Sequence, residues 1–319
     1  MTFINRLTLL SLAIAATAAF GLACLPAAPA EARRTKVAVG LGDQNPAMFD
    51  AAGFRALKLR KARTFTRWDA MRVPGERLRL DLWVKAARRA HVRPYVHIST
   101  NDLRPKKGKL ISTRTYRRDV GRLVRHLKRL GVRDFGVWNE ANHKSQPTYR
   151  SASRAAAYYR QMRSLCPHCT IVALDVLDQA GVERYIGRFF RALPRSYRSK
   201  RLVIGIHNYS DTNRRRSRGT ASIIRTVRRY DRHARFWLTE TGGVVNFGRS
   251  FPCNTQRAAS RTSYMFRLAR RYDRYLERLY PYNFFGAGCN GFDAGLVDAD
   301  GTRRPAWYVF KARLGGFTR

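Results

Sequence analysis

Hydrophobic positions along this chain follow two alternating rhythms. Short apolar runs occupy residues 37–41, 62–66, 95–98, 135–138, 171–174, 203–206, 235–240 and 282–285. Runs of that length, bounded by polar or glycine-containing stretches, read as strands buried on both faces of a parallel sheet. Between them apolar residues recur at helical spacing. One such stripe is Leu80, Trp83, Val84 and Ala87; a second is Ala155, Tyr159 and Met162; a third is Met265, Ala269, Tyr272 and Leu276. The clearest is Tyr116, Val120, Leu123, Val124, Leu127 and Leu130, which Ser112 or Thr113 caps and Gly131 ends. Further helices are expected at 48–57 and 306–310. Eight strands alternating with helices predict an α/β chain closed as a single-domain (β/α)8 TIM barrel.

Two of the strands end in glutamate. The first is Asp134-Phe-Gly-Val-Trp-Asn-Glu140 and the second is Arg235-Phe-Trp-Leu-Thr-Glu240. Only five glutamates follow the N-terminal leader: Glu76, Glu140, Glu183, Glu240 and Glu277. In a parallel barrel the C-terminal ends of the strands carry the chemistry. Two facing carboxylates there suit glycosidic-bond cleavage, in which one protonates the leaving oxygen and the other attacks or activates water. Each glutamate taken alone also reads as an end-of-strand residue paired with an arginine.

Trp138-Asn139-Glu140-Ala141-Asn142, His207-Asn208-Tyr209 and Thr239-Glu240, in that order, resemble the clan A retaining glycoside hydrolases. The segment Asp293-Ala-Gly-Leu-Val-Asp-Ala-Asp-Gly301 is similar to the strand-eight exit of such enzymes. The resemblance implies Glu140 as general acid/base and Glu240 as nucleophile. It implies Asn139 as a hydrogen-bonding partner of the sugar 2-hydroxyl, with His207 or Tyr209 orienting Glu240. Trp68 and Trp138 would offer ring faces to sugar C–H surfaces, and His97 is a further substrate-binding candidate. Core packing is the alternative for each of these three. Ala141 stands where proline often follows the acid/base. Phe284-Phe285 stand where a tryptophan commonly lies under the sugar ring. Retention requires carboxyl groups about 5–5.5 Å apart, with Glu140 carrying the proton and Glu240 charged.

The chain has 319 residues, 45% of them hydrophobic, enough for one full barrel. Its first residues form a secretory signal pattern: Arg6, an apolar run from Leu7 to Leu25, and the small-x-small site Ala30-Glu31-Ala32. Residues 1–32 are therefore expected as a leader and 33–319 as the barrel, placing the mature protein outside the cell or at its wall. Removing the leader leaves Cys166, Cys169, Cys253 and Cys289. An even count in an exported chain favours disulfides, and proximity pairs Cys166 with Cys169 and Cys253 with Cys289.

Lysine and arginine number 63 against 21 acidic residues, for a net charge of +42. Such a field draws anionic polymers non-specifically, favours ionised carboxylates and predicts an acid-shifted activity optimum. An arginine bias decorating solvated helices explains the charge equally well. No nucleic-acid motif or second membrane-length apolar stretch accompanies it. The carbohydrate partner can thus be neutral or anionic, and neither a metal nor a cofactor is called for. Two other functions compete with hydrolysis. One is a catalytically lapsed barrel that binds anionic cell-surface polymer. The other is a thiol-disulfide oxidoreductase built on Cys166-Pro-His-Cys169, although that motif here ends a helix instead of starting one.

Overall fold

The structure is a computed structural model describing residues 34–104, 107–198 and 201–319. The leader expected at 1–32 lies outside the described residues.

The first strand, β1, comes in two pieces, Ala38–Val39 and Leu41–Gly42. It is followed by β2 (Lys61–Arg67), β3 (Arg93–Ser99), β4 (Asp134–Gly136), β5 (Thr170–Leu177), β6 (Val203–His207), β7 (Arg235–Thr241) and β8 (Leu276–Pro281). Each strand pairs in parallel with the next, from β2 through β8. The ring closes through β1, whose first piece pairs with β8 and whose second pairs with β2. Seven longer helices cover it: α1 (Pro74–Arg89), α2 (Thr113–Arg129), α3 (Ala152–Leu165), α4 (Val182–Ala192), α5 (Arg218–Arg228), α6 (Thr255–Arg271) and α7 (Pro305–Arg313). The expected (β/α)8 barrel is the observed fold. Ser112 caps α2 by accepting from the Thr115 amide, as its position before the apolar stripe implied.

Strand eight is displaced from its expected place. It runs over Leu276–Pro281, and the apolar stretch 282–285 is the loop at its mouth. Helix α6 accordingly stops at Arg271, and Leu276 belongs to the sheet. Polar Glu277 and Arg278 disguise this strand in the sequence. Both have partners: Arg278 Nη1 reaches buried Asp134 at 2.5 Å, and Glu277 accepts from the Trp237 indole at 3.2 Å. Satisfied charges can occupy a strand interior where isolated ones cannot.

The barrel interior is layered. Tyr95, Val172, Trp237 and Tyr280 form a closed apolar plug, none more than 1% exposed. Towards the C-terminal mouth the same strands present His97, Asp175 and Glu240. Irregularities in the β5–β6 and β6–β7 pairings re-aim the side chains there. A much larger apolar core fills the space between sheet and helices.

Both disulfides pair as proximity suggested, with Cα separations of 5.4 Å for Cys166–Cys169 and 5.6 Å for Cys253–Cys289. The first lies between the end of α3 and the start of β5. The second joins the loop after β7 to the loop after β8.

Candidate active site

Glu140 lies just beyond β4 and Glu240 lies inside β7, so the ring brings both to one mouth. Glu240 is 7% exposed. Its Oε2 accepts from Arg63 Nη1 at 2.7 Å and its Oε1 from the Tyr209 hydroxyl at 3.1 Å. Both oxygens therefore accept hydrogen bonds, which fixes the plane of the carboxylate.

Glu140 has a backbone φ of +45°, a left-handed conformation costly for a residue with a side chain. The strain is held by Asp175, whose carboxylate accepts from the Glu140 amide at 3.1 Å and whose carbonyl accepts from the Ala141 amide at 2.8 Å. His207 Nδ1 is 3.1 Å from Glu140 Oε1, and His143 Nδ1 is 3.7 Å from Glu140 Oε2.

Beneath the two glutamates lies a buried ionic floor made by Arg63, His97, Asp175 and His207. None of the four has measurable exposure. His207 Nε2 approaches Asp175 Oδ2 at 2.8 Å, while its Nδ1 stands 3.8 Å from Glu240. Burial alone would push the His207 imidazole down. Asp175 and then Glu240 outweigh it and raise the ring to about 10, so it is an imidazolium near neutrality. Asp175 is held below the ordinary carboxylate range: burial opposes this, but the His207 imidazolium and the Arg63 guanidinium prevail. His97 takes the opposite course. Burial lowers it to about 3, and the pull of Asp175 does not compensate. Arg63 is raised above its usual value, since Glu240, Tyr95 and Asp175 together outweigh desolvation.

Two glycines make room for this floor. A Cβ on Gly136 of β4 would stand 2.0 Å from the His97 ring, and one on Gly205 of β6 would stand 2.0 Å from Asp175 Oδ1.

The other expected site residues divide. Asn139 is 5% exposed, and its Oδ1 accepts from Arg63 Nη2, which leaves its amide nitrogen without a partner among the described residues. Tyr209 and His207 both touch the glutamates. Trp138 does not face the cleft: it is 1% exposed, stacked on Tyr158 at 5.1 Å, with its indole donating to Gln146. Trp68 is 6% exposed and donates to Asn101, bracing the loops after β2 and β3. His97 lies under the site with no solvent access. All three are buried: Trp68 and Trp138 are held among neighbouring side chains, and His97 belongs to the floor.

Sequence reasoning missed Arg63, Asp175 and the aromatic wall. Tyr282, Phe292, Phe65 and Phe247 form that wall: Phe292 packs against Tyr282, Tyr209 and Phe247 at ring separations of 6.3, 5.2 and 5.7 Å, and Phe65 packs against Tyr282 at 6.5 Å. With Phe284 buried, Tyr282 is the ring that the loop after β8 supplies beside Glu240; burial and then the charge of Glu240 raise its phenol. One signal for Asp175 was present, since it is a lone charge inside an otherwise apolar strand; Arg63 shares its strand with Lys61 and Arg67, so nothing local singles it out.

Donor atoms of Glu140, His207 and Glu240 lie within 4.8 Å of one another, close enough in distance for a divalent cation. The Arg63 guanidinium and the protonated His207 already supply positive charge at that point. The Cys166–Cys169 bridge lies at the C-terminal end of α3, and both residues are buried. A helix C-terminus disfavours a thiolate, so the motif lacks the setting of a redox pair.

Structural comparison places this architecture among known barrels. The chain superposes on a GH10 endoxylanase from a sugarcane soil metagenome with a TM-score of 0.58 at 12% identity, covering 86% of this chain and 96% of that one. A glucosidase from Croceicoccus marinus gives 0.61 at 13% identity, over 88% of this chain and 67% of that one. An exo-β-1,4-mannosidase, Op5Man5, from Opitutaceae bacterium strain TAV5 gives 0.62 at 15%, over 88% and 59%. The fold it shares with these solved structures is the (β/α)8 barrel. No protein-family profile and no curated protein matches the chain by sequence.

Proposed function

We propose that this protein is a secreted, retaining O-glycoside hydrolase acting on a poly- or oligosaccharide. The carrying observation is that carboxylate oxygens of Glu140 and Glu240 lie within 4.8 Å across the mouth of a closed barrel. That spacing suits direct attack on an anomeric carbon. Inverting enzymes hold their carboxyl groups about 6.5–9.5 Å apart to admit a water. The xylanase, glucosidase and mannosidase among the structural neighbours support a carbohydrate substrate.

In the first step Glu240 attacks the anomeric carbon while the bond to the leaving oxygen breaks and Glu140 gives that oxygen its proton. In the second, water attacks the same carbon, returns a proton to Glu140 and releases Glu240. Arg63 and Tyr209 orient the nucleophile. His207 donates to Glu140 Oε1, which turns Oε2 towards the aglycone. Asn139 offers its amide to the sugar, and Tyr282 with Phe292 forms an apolar wall for the ring. These steps are complete with the chain's own side chains. Export is supported by the two disulfides and by the leader pattern of the first 32 residues. No helix among the described residues is long and apolar enough to cross a membrane.

The test is to follow the first-formed anomer by proton NMR on a panel of aryl glycosides. Retention is expected, together with loss of turnover in Glu140→Ala and Glu240→Ala. A first product of inverted configuration, or turnover that survives both substitutions, overturns the proposal. If no glycan is cleaved but an anionic polymer is retained, the lapsed-barrel alternative takes its place.

A further inference from the structure

Two concavities meet on the flank and floor of the barrel; the flank one starts at the rim beside Asp178 and Gln179, just past β5, and the other lies at the end opposite Glu140 and Glu240. The flank cavity, about 1050 Å³, runs along α5 and presents Arg218, Arg225, Arg229 and Arg271. The floor cavity, about 670 Å³, lies where β6, β7 and β8 begin and presents Arg201, Arg232 and Arg235. Arg228, Arg274 and Tyr275 line both, so the two form one continuous groove. Arg218, Arg225 and Arg229 lie seven and four positions apart on or just beyond α5, which puts them on one helix face over about 16 Å.

These cations lack the counter-charges that other arginines of this chain have. Among the described residues, only Arg235 has a carboxylate at ion-pair range, Glu277 at 3.7 Å. Glu183 and Asp178 also line the flank cavity, but Glu183 is engaged by the Ser222 hydroxyl, and Asp178 is buried and accepts from the Ser210 and Asp211 amides. By contrast Arg63, Arg278 and Arg304 are all paired with acids. Arg228 and Arg274 lie over the Tyr275 ring at 4.7 and 4.5 Å, which fixes two of the guanidinium groups at the junction of the cavities.

We propose that this groove binds a carboxylate-bearing polysaccharide and tethers the protein to it while the catalytic mouth stays free. Guanidinium forks match planar carboxylates in a bidentate geometry. A row of unpaired forks fits a chain that repeats that group. Single-stranded nucleic acid would need free aromatic faces for base stacking. The groove's rings, Tyr275 and Tyr272, already have guanidinium groups over them, Arg271 being 6.0 Å from Tyr272.

Binding of the intact protein to polygalacturonate at fixed ionic strength tests the site. Arg225→Gln/Arg228→Gln/Arg229→Gln/Arg274→Gln should weaken it about tenfold or more, since several charge-assisted contacts are lost together. A control of equal charge, Arg114→Gln/Arg122→Gln/Arg125→Gln/Arg129→Gln on exposed positions of α2, should change it less than about twofold, as expected for long-range field alone. Circular dichroism and melting confirm that both variants fold. Fully methyl-esterified polygalacturonate, the same chain without charge, should not bind the wild type, which tests the chemistry even if a variant is unstable. Equal weakening by the two quadruple variants overturns the proposal, as does retention of the esterified chain. Tighter, equally groove-dependent binding of single-stranded DNA overturns it in favour of nucleic acid. Glu240→Ala should bind polygalacturonate as the wild type does, so the tether and the hydrolase reading can fail independently.

Discussion

His207 Nε2 and Asp175 Oδ2 meet at 2.8 Å with neither side chain open to solvent. The pair occupies the floor between Glu140 and Glu240, and Asp175 also holds the strained Glu140 backbone. Replacing Asp175 with Asn leaves a buried imidazolium short of its counter-charge. Stability should fall by about 3–5 kcal/mol, the usual cost of breaking a buried pair, measured by urea denaturation. A loss below about 1 kcal/mol would show that the pair does not anchor the floor.

The histidines of the floor set opposite pH limits. His207 is raised to about 10 in the fold, so its stabilisation is complete below about 6.5 and is lost as pH rises towards 10. His97 is lowered to about 3, so its contribution is complete above about 6.5 and is lost as pH falls towards 3. Subtracting the stability profile of His207→Gln from that of the wild type should leave a difference that shrinks between pH 6.5 and 10. A flat difference contradicts the assignment.

Arg63 bridges Glu240 and Asn139 from full burial, using two nitrogens of one fork. Lysine offers a single compact ammonium on a flexible stem and cannot reproduce the rigid two-nitrogen fork that holds both groups in place. For Arg63→Lys, kcat on an aryl glycoside should drop about a hundredfold with KM changed less than about threefold, as for loss of a preorganised electrostatic contact. A rise in KM alone would assign Arg63 to substrate binding.

Gly136→Ala adds a methyl 2.0 Å from the His97 ring. The ring is enclosed and cannot retreat to solvent. A loss of about 1–3 kcal/mol from overpacking is expected, together with reduced turnover as the floor shifts. Wild-type melting and activity would mean that His97 has room to move.

Breaking Cys253–Cys289, which closes a separation of 36 residues, should cost about 3–4 kcal/mol by the loop-entropy relation. Cys166–Cys169 spans only three and should cost about half as much. Paired Cys→Ser variants compared by urea denaturation check the order. The mouth-loop variant alone should raise KM, since that bridge joins the loops beside Glu240.

Several parts of this protein were legible in its sequence. The alternation of short apolar runs and helical stripes fixed the barrel, because buried parallel strands and amphipathic helices leave periodicities that local composition displays. Glu140 and Glu240 could be singled out because they stand at strand ends, where a charge interrupts an apolar run, whereas Asn139, His207 and Tyr209 stood out only through the resemblance of their motifs to known enzymes. The tertiary structure decided the rest. It moved the last strand to 276–281, where the Trp237 indole and the Asp134 carboxylate of other strands satisfy Glu277 and Arg278. It buried Trp68 and Trp138 among their neighbours, set His97 beneath the glutamates, and revealed Arg63 and Asp175 as further parts of that floor. Whether a lone charge in a strand is a solvated neighbour, a paired support or a reacting group depends on what lies across the barrel. Those partners are separated by up to 177 positions in the chain, and no local pattern encodes a contact made only when the ring closes.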